Sequence, residues 1–207
     1  VALDNDKNVF VVGTFKDTLY MGNDVLLAGS PDRVQSFVLK LSAAGTMLWV
    51  KKLESNISVT AKCVTAGAAD ELLVSGTFEG NASFGVGFPG FSDGGNDIFL
   101  LKLDGTSGNP IFVRRIGGTD HEYIHQHVRD QDNNIYLTGD FRSNVDLDPG
   151  ASSFIVNSNG LTDAFLVKLS GSGTFQWAKT YGSIGVDYGT SVITDSENNI
   201  IITGRYS

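Results

Sequence analysis

The stretch NVFVVGTF, residues 8–15, decides the fold because it returns three more times along the chain. The later copies are ELLVSGTF (71–78), NIYLTGDF (134–141) and NIIITGRY (199–206). Their shared glycine falls at Gly13, Gly76, Gly139 and Gly204, in steps of 63, 63 and 65 residues. A regular step of this length is typical of repeat architectures. The chain is therefore one unit repeated a little over three times.

Two further phrases keep the same step. The phrases SFVLKL, DIFLLKL and DAFLVKL place Lys40, Lys102 and Lys168 in register. The phrases GTMLWVKKL, GNPIFVRRI and GTFQWAKTY place Trp49, Phe112 and Trp177 at matching positions. We expect each of these aromatic side chains to pack against a neighbouring unit or against the outer strands of its own unit.

Each unit is predicted to contain four strands. The phrase at 8–15 is apolar and β-branched, which favours a strand covered on both faces, and we assign it as the second strand. SFVLKL is the third, and a short Gly-containing loop leads from it into the fourth as a hairpin. The first strand is SVTAKCVTA (58–66) in one copy and YGTSVITD (188–195) in another. The glycine inside every second strand predicts a bulge or the close approach of a neighbouring sheet.

Polar segments connect the first strand of a unit to the second. DNDKN (4–8), DQDNN (130–134) and DSENN (195–199) are rich in Asp and Asn, which form tight turns by bonding to their own backbone. DQDNN also resembles the start of a calcium loop, but Ile135 replaces the glycine that such a loop requires. We therefore interpret these segments as turns, and keep Asp146 and Asp148 of DLDPG as candidates for a surface calcium ion.

The repeat predicts an all-β fold. Four-stranded units that are apolar on both faces and repeated in tandem match the blades of a β-propeller, which stack face to face around an axis. We predict a β-propeller of four-stranded antiparallel blades, with about three and a quarter units, and we assign residues 1–207 to part of a single propeller domain. The units span about 1–54, 55–117, 118–182 and 183–207.

The unit resembles the bacterial seven-bladed β-propeller repeats abbreviated SBBP. The matching features are the Asp-x-x-Asn-Asn-apolar run before Thr-Gly or Ser-Gly, the Asp-apolar-Phe opening of DAFLVKL and DIFLLKL, and FQW followed by GSIGVDYG. The resemblance covers essentially the whole chain, although QSF (35–37) replaces Asp-Ala-Phe in the first copy and GAADE (67–71) replaces the Asp-rich turn in the second. It implies a large secreted or cell-surface bacterial protein with the propeller as one module, and it brings no catalytic residues.

The segment HEYIHQH (121–127) holds all three histidines and contains the His-Glu-x-x-His pattern of zinc proteases. A helix would set His121 and His125 side by side for zinc, with Glu122 as the base. The repeat register favours a strand over residues 120–129 instead, because His127 aligns with Val64 and Val192. On a strand, two residues four positions apart lie roughly 13 Å from each other, too far for one zinc ion.

Strand geometry leaves a second metal hypothesis open. His125 and His127 would then point to one face as a His-x-His pair that could share a zinc ion if a third ligand converged on it. The alternative, which we favour, is a polar face on the innermost strand of a blade, wetted by the central channel. No cofactor is expected on this interpretation.

Composition excludes some functions. The formal charge of -8 repels phosphate backbones and anionic lipid, so we expect no nucleic-acid partner. No apolar run approaches the roughly 18 to 20 residues of a membrane span, so direct membrane insertion is not expected either. The single cysteine permits no internal disulfide.

Three functions remain. The first is a non-enzymatic extracellular or cell-surface scaffold that binds protein or carbohydrate on a propeller face. The second is a propeller enzyme that acts on carbohydrate or peptide at the channel mouth, and the third is a zinc metalloprotease. We also expect the chain to be an internal segment of a longer protein, with flanking blades of the same polypeptide as partners. A little over three units leave apolar blade faces uncovered, which favours self-association of the isolated chain.

Overall fold

The computed structural model describes residues 1–67 and 70–207. Twenty strands follow one another within these residues, and their ladders are antiparallel. The prediction of an all-β chain is confirmed. Two residues of the predicted GAADE turn, 68 and 69, lie outside the described residues.

The strands recur in the order of the sequence repeat. The first repeat contains β1 (Ala2–Leu3), β2 (Val9–Phe15), β3 (Thr18–Met21), β4 (Asp24–Leu27), β5 (Gln35–Leu41) and β6 (Met47–Ser55). The second contains β7 (Ser58–Ala66), β8 (Glu71–Glu79), β9 (Asn81–Ser83), β10 (Pro89–Phe91), β11 (Asp97–Asp104) and β12 (Pro110–Gly118). The third contains β13 (Glu122–Arg129), β14 (Ile135–Phe141), β15 (Asn144–Asp146), β16 (Ile155–Asn157), β17 (Asp163–Leu169) and β18 (Phe175–Tyr181). The fourth contributes β19 (Tyr188–Thr194) and β20 (Ile200–Arg205).

Each of the first three repeats carries two more strands than the sequence predicted. These are the short hairpins β3–β4, β9–β10 and β15–β16, which lie between the second and third long strands. Their strands are only three or four residues long, so periodicity alone did not mark them as strands. The predicted four-stranded meander is seen in the third repeat, where the hydrogen-bonded order is β13-β14-β17-β18.

Two of the three hairpins extend larger sheets. One six-stranded sheet has the order β1-β2-β5-β6-β9-β10, and another has the order β16-β15-β12-β11-β8-β7. The remaining sheets are the two-stranded pairs β19-β20 and β3-β4. The number of blades and the closure of a propeller therefore stay predictions.

The chain divides into two compact units, which do not coincide with the sequence repeats. Unit 1 comprises Val1–Phe91 and Leu100–Val113, and unit 2 comprises Ser92–Phe99 and Arg114–Ser207. The core of unit 2 includes Tyr136, Leu166 and Val192, with Trp177 and other apolar side chains packed against them. No helix in residues 1–67 or 70–207 has the length and hydrophobicity needed to cross a membrane.

The predicted bulges are present opposite the repeated glycines. The first strand of each of the last three repeats shifts register once. The shift lies between Ala61 and Cys63 in β7, between Ile124 and Gln126 in β13, and between Gly189 and Ser191 in β19. The residues before these shifts pair with Gly76, Gly139 and Gly204. A Cβ atom on Gly139 would overlap the carbonyl oxygen of Tyr123, so the glycine admits a close backbone approach. The predicted role of the glycine is confirmed in these three repeats.

Burial of the second strands differs along the chain. All seven residues of β14 are buried, as are most residues of β8, which confirms the prediction of a strand covered on both faces. In β2 and β20 the side chains are mostly half-buried or exposed. The amino-acid pattern is similar in all four strands, so the difference comes from the neighbours that each strand has.

The matching aromatic residues and lysines form rows across the sheets. Phe10 pairs with Lys40 and Lys40 pairs with Trp49, so the three side chains stand side by side on one face. The Lys40 ammonium lies 4.9 Å from the Phe10 ring centre, and the Trp49 ring lies 6.0 Å from the Phe10 ring. Cation–π contacts of this kind stabilise a partly buried ammonium. Trp49 Nε1 also donates to the carbonyl oxygen of Gly105 in the second repeat at 3.2 Å, so the predicted contact with a neighbouring repeat is confirmed for Trp49.

The third repeat contains the same row. Tyr136, Lys168 and Trp177 are paired across β14, β17 and β18, and the rings of Tyr136 and Trp177 are 6.2 Å apart. Trp49 and Trp177 are half-buried, whereas Phe112 is buried. Of these three aromatic residues, only Phe112 is buried.

The Asp-rich segments are turns, as predicted. Asp130 accepts hydrogen bonds from the backbone N–H of Asn134 at 2.7 Å, from the Asn134 side chain at 2.8 Å and from the Tyr136 hydroxyl at 3.0 Å. Asp4 and Asp195 bind the backbone and side chain of the asparagine four residues later in the same way. Hydrogen bonds from Asn199 lower the pKa of Asp195 below its usual value. The carboxylates are therefore engaged in holding their own turns.

Candidate functional site

The histidine segment is a strand. Residues 122–129 form β13 and pair with β14 along its whole length, which confirms the strand expected from the repeat register. The helix that a His-Glu-x-x-His zinc site requires is therefore not formed there. The buried Glu122 side chain accepts a hydrogen bond from the Gly118 backbone N–H at 2.8 Å.

A bulge places His125 and His127 on different faces of β13. Ile124 pairs with Gly139 and Gln126 pairs with Thr138, so His125 is the extra residue of the bulge. Side chains alternate in a regular strand, and one inserted residue reverses the alternation beyond it. The prediction that His125 and His127 share a face was wrong for this reason, and the His-x-His zinc site loses its geometric basis.

His127 is buried in the core, so the expectation of a polar face wetted by a central channel was wrong for this residue. It pairs with Leu137 and is 2% exposed, and the aligned residues Val64 and Val192 are buried as well. Burial, with a smaller contribution from the Arg129 charge, lowers the pKa of His127 to about 3. The imidazole is therefore uncharged at neutral pH.

The other two histidines belong to what we call the histidine–tyrosine cluster, defined as His121, Tyr123, His125, Asp140 and Tyr188. His125 Nε2 lies 2.7 Å from Asp140 Oδ1, and its ring is 6.0 Å from the Tyr188 ring. Asp140 stands opposite Tyr123 in the ladder between β13 and β14. Regular alternation places His125 on the face of Tyr123 and Asp140, and the bulge moves His127 to the opposite face.

Hydrogen bonds hold the other end of the cluster. The rings of His121 and Tyr123 are stacked 6.0 Å apart at an angle of 11°. The Asn96 backbone N–H donates to His121 Nδ1 at 3.0 Å, and the Asn96 side chain donates to the Tyr123 hydroxyl at 3.3 Å. The histidines and tyrosines of the cluster are partly exposed. The cluster thus presents rings and hydrogen-bonding groups whose orientations are set by neighbouring side chains.

Metal ligands do not converge in the described part of the chain. Residues 1–67 and 70–207 contain no group of three or more His, Cys, Asp or Glu side chains that could hold a metal ion. Asp146 Oδ1 accepts hydrogen bonds from the backbone N–H groups of Asp148 at 3.0 Å and Phe154 at 2.8 Å. Asp148 Oδ1 accepts one from Gly150 at 2.8 Å. Both carboxylates bind their own loop, and the calcium assignment for them stays a prediction.

A second set of charged groups surrounds the start of β11. Asp97 is fully buried and forms an ion pair with Arg115 Nε, while Arg115 Nη2 lies 2.9 Å from Asp93 Oδ2. Burial raises the pKa of Asp97 to about 6, and the hydrogen bond and charge of Arg115 act in the opposite direction. One carboxyl oxygen of Asp97, Oδ1, has no hydrogen-bond partner in the part of the chain that the structure describes.

Glu122 is electrostatically coupled to this set. Burial raises its pKa to about 8, the Gly118 N–H lowers it, and the Asp97 charge raises it further. Its Oε1 atom is buried and has no hydrogen-bond partner among residues 1–67 and 70–207. Neither oxygen is exposed, which favours a structural role over contact with a substrate.

The repeat register contained a signal for the buried Asp97 that we did not use. Gln35, Asp97 and Asp163 open the three third strands at matching positions, and all three are buried. Gln35 exchanges hydrogen bonds with the backbone of Ser55, and Asp163 accepts them from Asn159. A polar residue repeated at the start of an apolar strand therefore indicated a buried hydrogen-bonding position. The pairing of Asp97 with Arg115, by contrast, had no sequence signal.

Comparison with known proteins identifies a distant relative. No family model matches the chain. The chain is 26% identical over 192 residues to an uncharacterised WD repeat-containing protein of Acanthamoeba polyphaga mimivirus. The alignment covers 80% of this chain, and the chain spans 14% of the length of that relative. Together with the antiparallel repeats, this similarity indicates a β-propeller-like repeat protein without specifying the SBBP type.

Proposed function

We propose that this β-propeller-like repeat chain is a protein-binding scaffold and that the histidine–tyrosine cluster is the surface through which it binds. The observation that carries the proposal is the stacked and hydrogen-bonded arrangement of Tyr123 and His125, on the partly exposed strand β13, with His121 immediately before it. Aromatic side chains with polar tips are enriched at protein interfaces, and rings held in place lose little entropy on binding. The WD repeat-containing relative supports a repeat scaffold as the framework.

The finer assignment is also a proposal. We assign the chain to a single β-propeller domain of the SBBP type, and we expect the whole protein to be secreted or displayed on a bacterial surface. The Asp-apolar-Phe openings at Asp97 and Asp163 and the Asp–Asn turns support the type. The localisation rests on the family resemblance alone.

A peptide library displayed on phage tests the binding proposal. Peptides selected on the wild-type chain should bind the Tyr123→Ala/Tyr188→Ala variant at least about tenfold more weakly, because two ring contacts are lost. Tyr206→Ala is the matched control, since Tyr206 is exposed and lies outside the cluster. Failure to select any peptide, or equal affinity for the cluster variant and the control, would contradict the proposal.

A propeller enzyme is the second candidate, and the His125–Asp140 pair is the observation that favours it. A carboxylate 2.7 Å from an imidazole can orient it as a general base towards a peptide or carbohydrate substrate. Under the scaffold proposal, His121→Ala combined with His125→Ala leaves any hydrolytic activity of the preparation unchanged. A peptidase or glycosidase activity of the wild type that disappears in this double variant would replace the scaffold with the enzyme.

A further inference from the structure

The short hairpins join consecutive repeats within the chain. Strand β9 of the second repeat pairs with the end of β6 in the first, and β15 of the third repeat pairs with the end of β12 in the second. Each hairpin therefore adds its first strand to the fourth strand of the preceding repeat. We call this contact the hairpin latch, defined by the pairings β6–β9 and β12–β15.

The two latches have the same register. Ser83 stands opposite Glu54 and Ala82 opposite Ser55, while Asp146 stands opposite Gly117 and Val145 opposite Gly118. These positions are equivalent in the repeat alignment, so the second latch repeats the first residue by residue. The residue before the hairpin has positive φ in every copy, at Asp17, Gly80 and Ser143, so the first hairpin leaves its long strand in the same way.

The first hairpin has no latch partner in the described chain. Within residues 1–67 and 70–207, β3 is paired with β4 alone. Leu19 and Met21 are half-buried, whereas their counterparts in the other hairpins are buried. Those counterparts are Ala82, Val145, Phe84 and Leu147. The first hairpin thus presents an open strand edge and incompletely covered apolar side chains.

The end of β18 shows the complementary feature. Tyr181 is 47% exposed, whereas the equivalent residues Leu53 and Ile116, at the ends of β6 and β12, are 1% and 3% exposed. Ile184, three residues further, is 87% exposed. The backbone at this end is nevertheless built like that of the first repeat. The Ser183 hydroxyl donates to the Ser207 carbonyl as the Ser55 hydroxyl donates to that of Glu79.

We propose that these two surfaces bind each other between two copies of this chain. Strand β3 of one copy pairs with the end of β18 of another, with Tyr20 opposite Gly182 and Leu19 opposite Ser183, in the register of the internal latches. For the 207-residue chain by itself, the occupant is a second copy, because the same chain carries both halves of a contact that it makes twice internally; flanking repeats of a longer polypeptide would occupy the same two surfaces. Pairing would hydrogen-bond the open edge of β3 and cover Leu19 and Tyr181.

The contact is head-to-tail, which determines the assembly. Two different surfaces meet, so each added copy leaves one hairpin and one strand end unpaired. Association of the wild-type chain should therefore proceed beyond the dimer as concentration rises. This inference does not depend on the histidine–tyrosine cluster, and its failure would leave the proposed function untouched.

Two single substitutions and their mixture test the proposal. Leu19→Asp introduces a charge on the hairpin, and Tyr181→Asp introduces one at the strand end. In sedimentation velocity each variant alone should self-associate at least about tenfold more weakly than the wild type, because every contact then lacks one surface. Val86→Asp is the matched control, because Val86 is 99% exposed and lies outside both surfaces; it should associate like the wild type.

The mixture identifies the geometry. Leu19→Asp retains the strand end and Tyr181→Asp retains the hairpin, so equal amounts of the two should form a one-to-one dimer that does not grow further. Circular dichroism confirms that each variant is folded, and Leu19→Ser or Tyr181→Ser replaces any aspartate variant that is not. A wild type that stays monomeric at every concentration overturns the proposal. So do variants that associate as strongly as the control, or folded variants whose mixture contains no dimer.

Discussion

At the scale of single residues, the same position of the repeat carries different chemistry in different copies. Glu122 aligns with Val59 and Asp187, and all three side chains are buried. Asp187 accepts backbone hydrogen bonds from Ser183 and Ser207 on its two oxygens, whereas one oxygen of Glu122 has no partner. A buried carboxyl group with an unsatisfied oxygen is stabilised in its protonated form, which agrees with the raised pKa.

Glu122→Gln should change how stability depends on pH. The pKa of Glu122 is raised from 4.5 to about 8 in the folded chain, so the folded state retains a proton that the unfolded state has already lost in this range. As pH rises from 4.5 to about 8, the free energy of unfolding of the wild type falls by up to about 1.4 kcal/mol per pH unit from this group. Glutamine does not ionise and can still accept the Gly118 hydrogen bond, so the variant should lack this decline.

Urea unfolding of both proteins between pH 5 and pH 8 measures the effect. Asp97 has a raised pKa of about 6 and contributes a decline of its own below that pH, in wild type and variant alike. Glu197→Gln, at an exposed glutamate, is the control and should keep the pH dependence of the wild type. Parallel curves for wild type and Glu122→Gln would show that Glu122 is already ionised in the folded chain at pH 5.

At the scale of the strand, the bulge in the first strand and the glycine in the second form one structural device. Ile124 pairs with Gly139, and the following register shift turns His125 out of the ladder. Tyr188 and Gly204 repeat the arrangement, because a Cβ atom on Gly204 would also overlap a tyrosine carbonyl oxygen. The position of the histidine–tyrosine cluster therefore depends on a glycine that lies outside it.

Gly139→Ala should destabilise the chain more than Gly13→Ala. The added Cβ at 139 meets the rigid backbone of Tyr123, whereas at 13 it meets the Phe37 ring, a side chain that can rotate away. We expect a loss of about 3 kcal/mol or more for Gly139→Ala and a smaller loss for Gly13→Ala. Denaturant unfolding of the two variants measures the difference. Equal losses would mean that the bulge rearranges at little cost.

At the scale of the whole molecule, equivalent strands differ in how completely they are covered. Strand β14 is paired on both edges, with β13 and β17, and every one of its residues is buried. Strand β20 carries the same phrase of the repeat but is paired with β19 alone, and most of its residues are exposed. The same difference is seen at the β3–β4 hairpin and at the end of β18. Their apolar side chains are more exposed than the equivalent side chains of the other repeats.

Hydrogen exchange should distinguish the two strands. Amides of β20 should exchange at least about tenfold faster than amides of β14, because most residues of β20 are exposed whereas all residues of β14 are buried. Mass spectrometry of peptides covering 135–141 and 200–205, at a low protein concentration that limits self-association, measures the rates. Similar protection of both strands would show that something covers β20 in solution.

The sequence by itself determined the features that repetition makes visible. The common step of NVFVVGTF and its copies predicted the all-β repeat, the strand at the histidine segment, the Asp–Asn turns and a bulge at the glycine. These features are local, or they recur in several copies of the repeat, so the pattern in one copy predicts the structure of the others. The alignment of His127 with Val64 and Val192 also contained a signal for its burial, which the expectation of a wetted polar face overlooked.

Only the tertiary structure decided which side chains meet. The repeated glycine predicted a bulge or a close approach, but not which residue of the facing strand is inserted. The bulge at His125 reversed the face of the residues after it, so the His125–His127 pair was wrongly placed on one face. The contacts of His125 with Asp140 and of Asp97 with Arg115 join residues from different strands. Each of these contacts occurs in one repeat only, so comparison with the other repeats could not predict it. Both contacts depend on strand register and packing, which the chain acquires only when it folds.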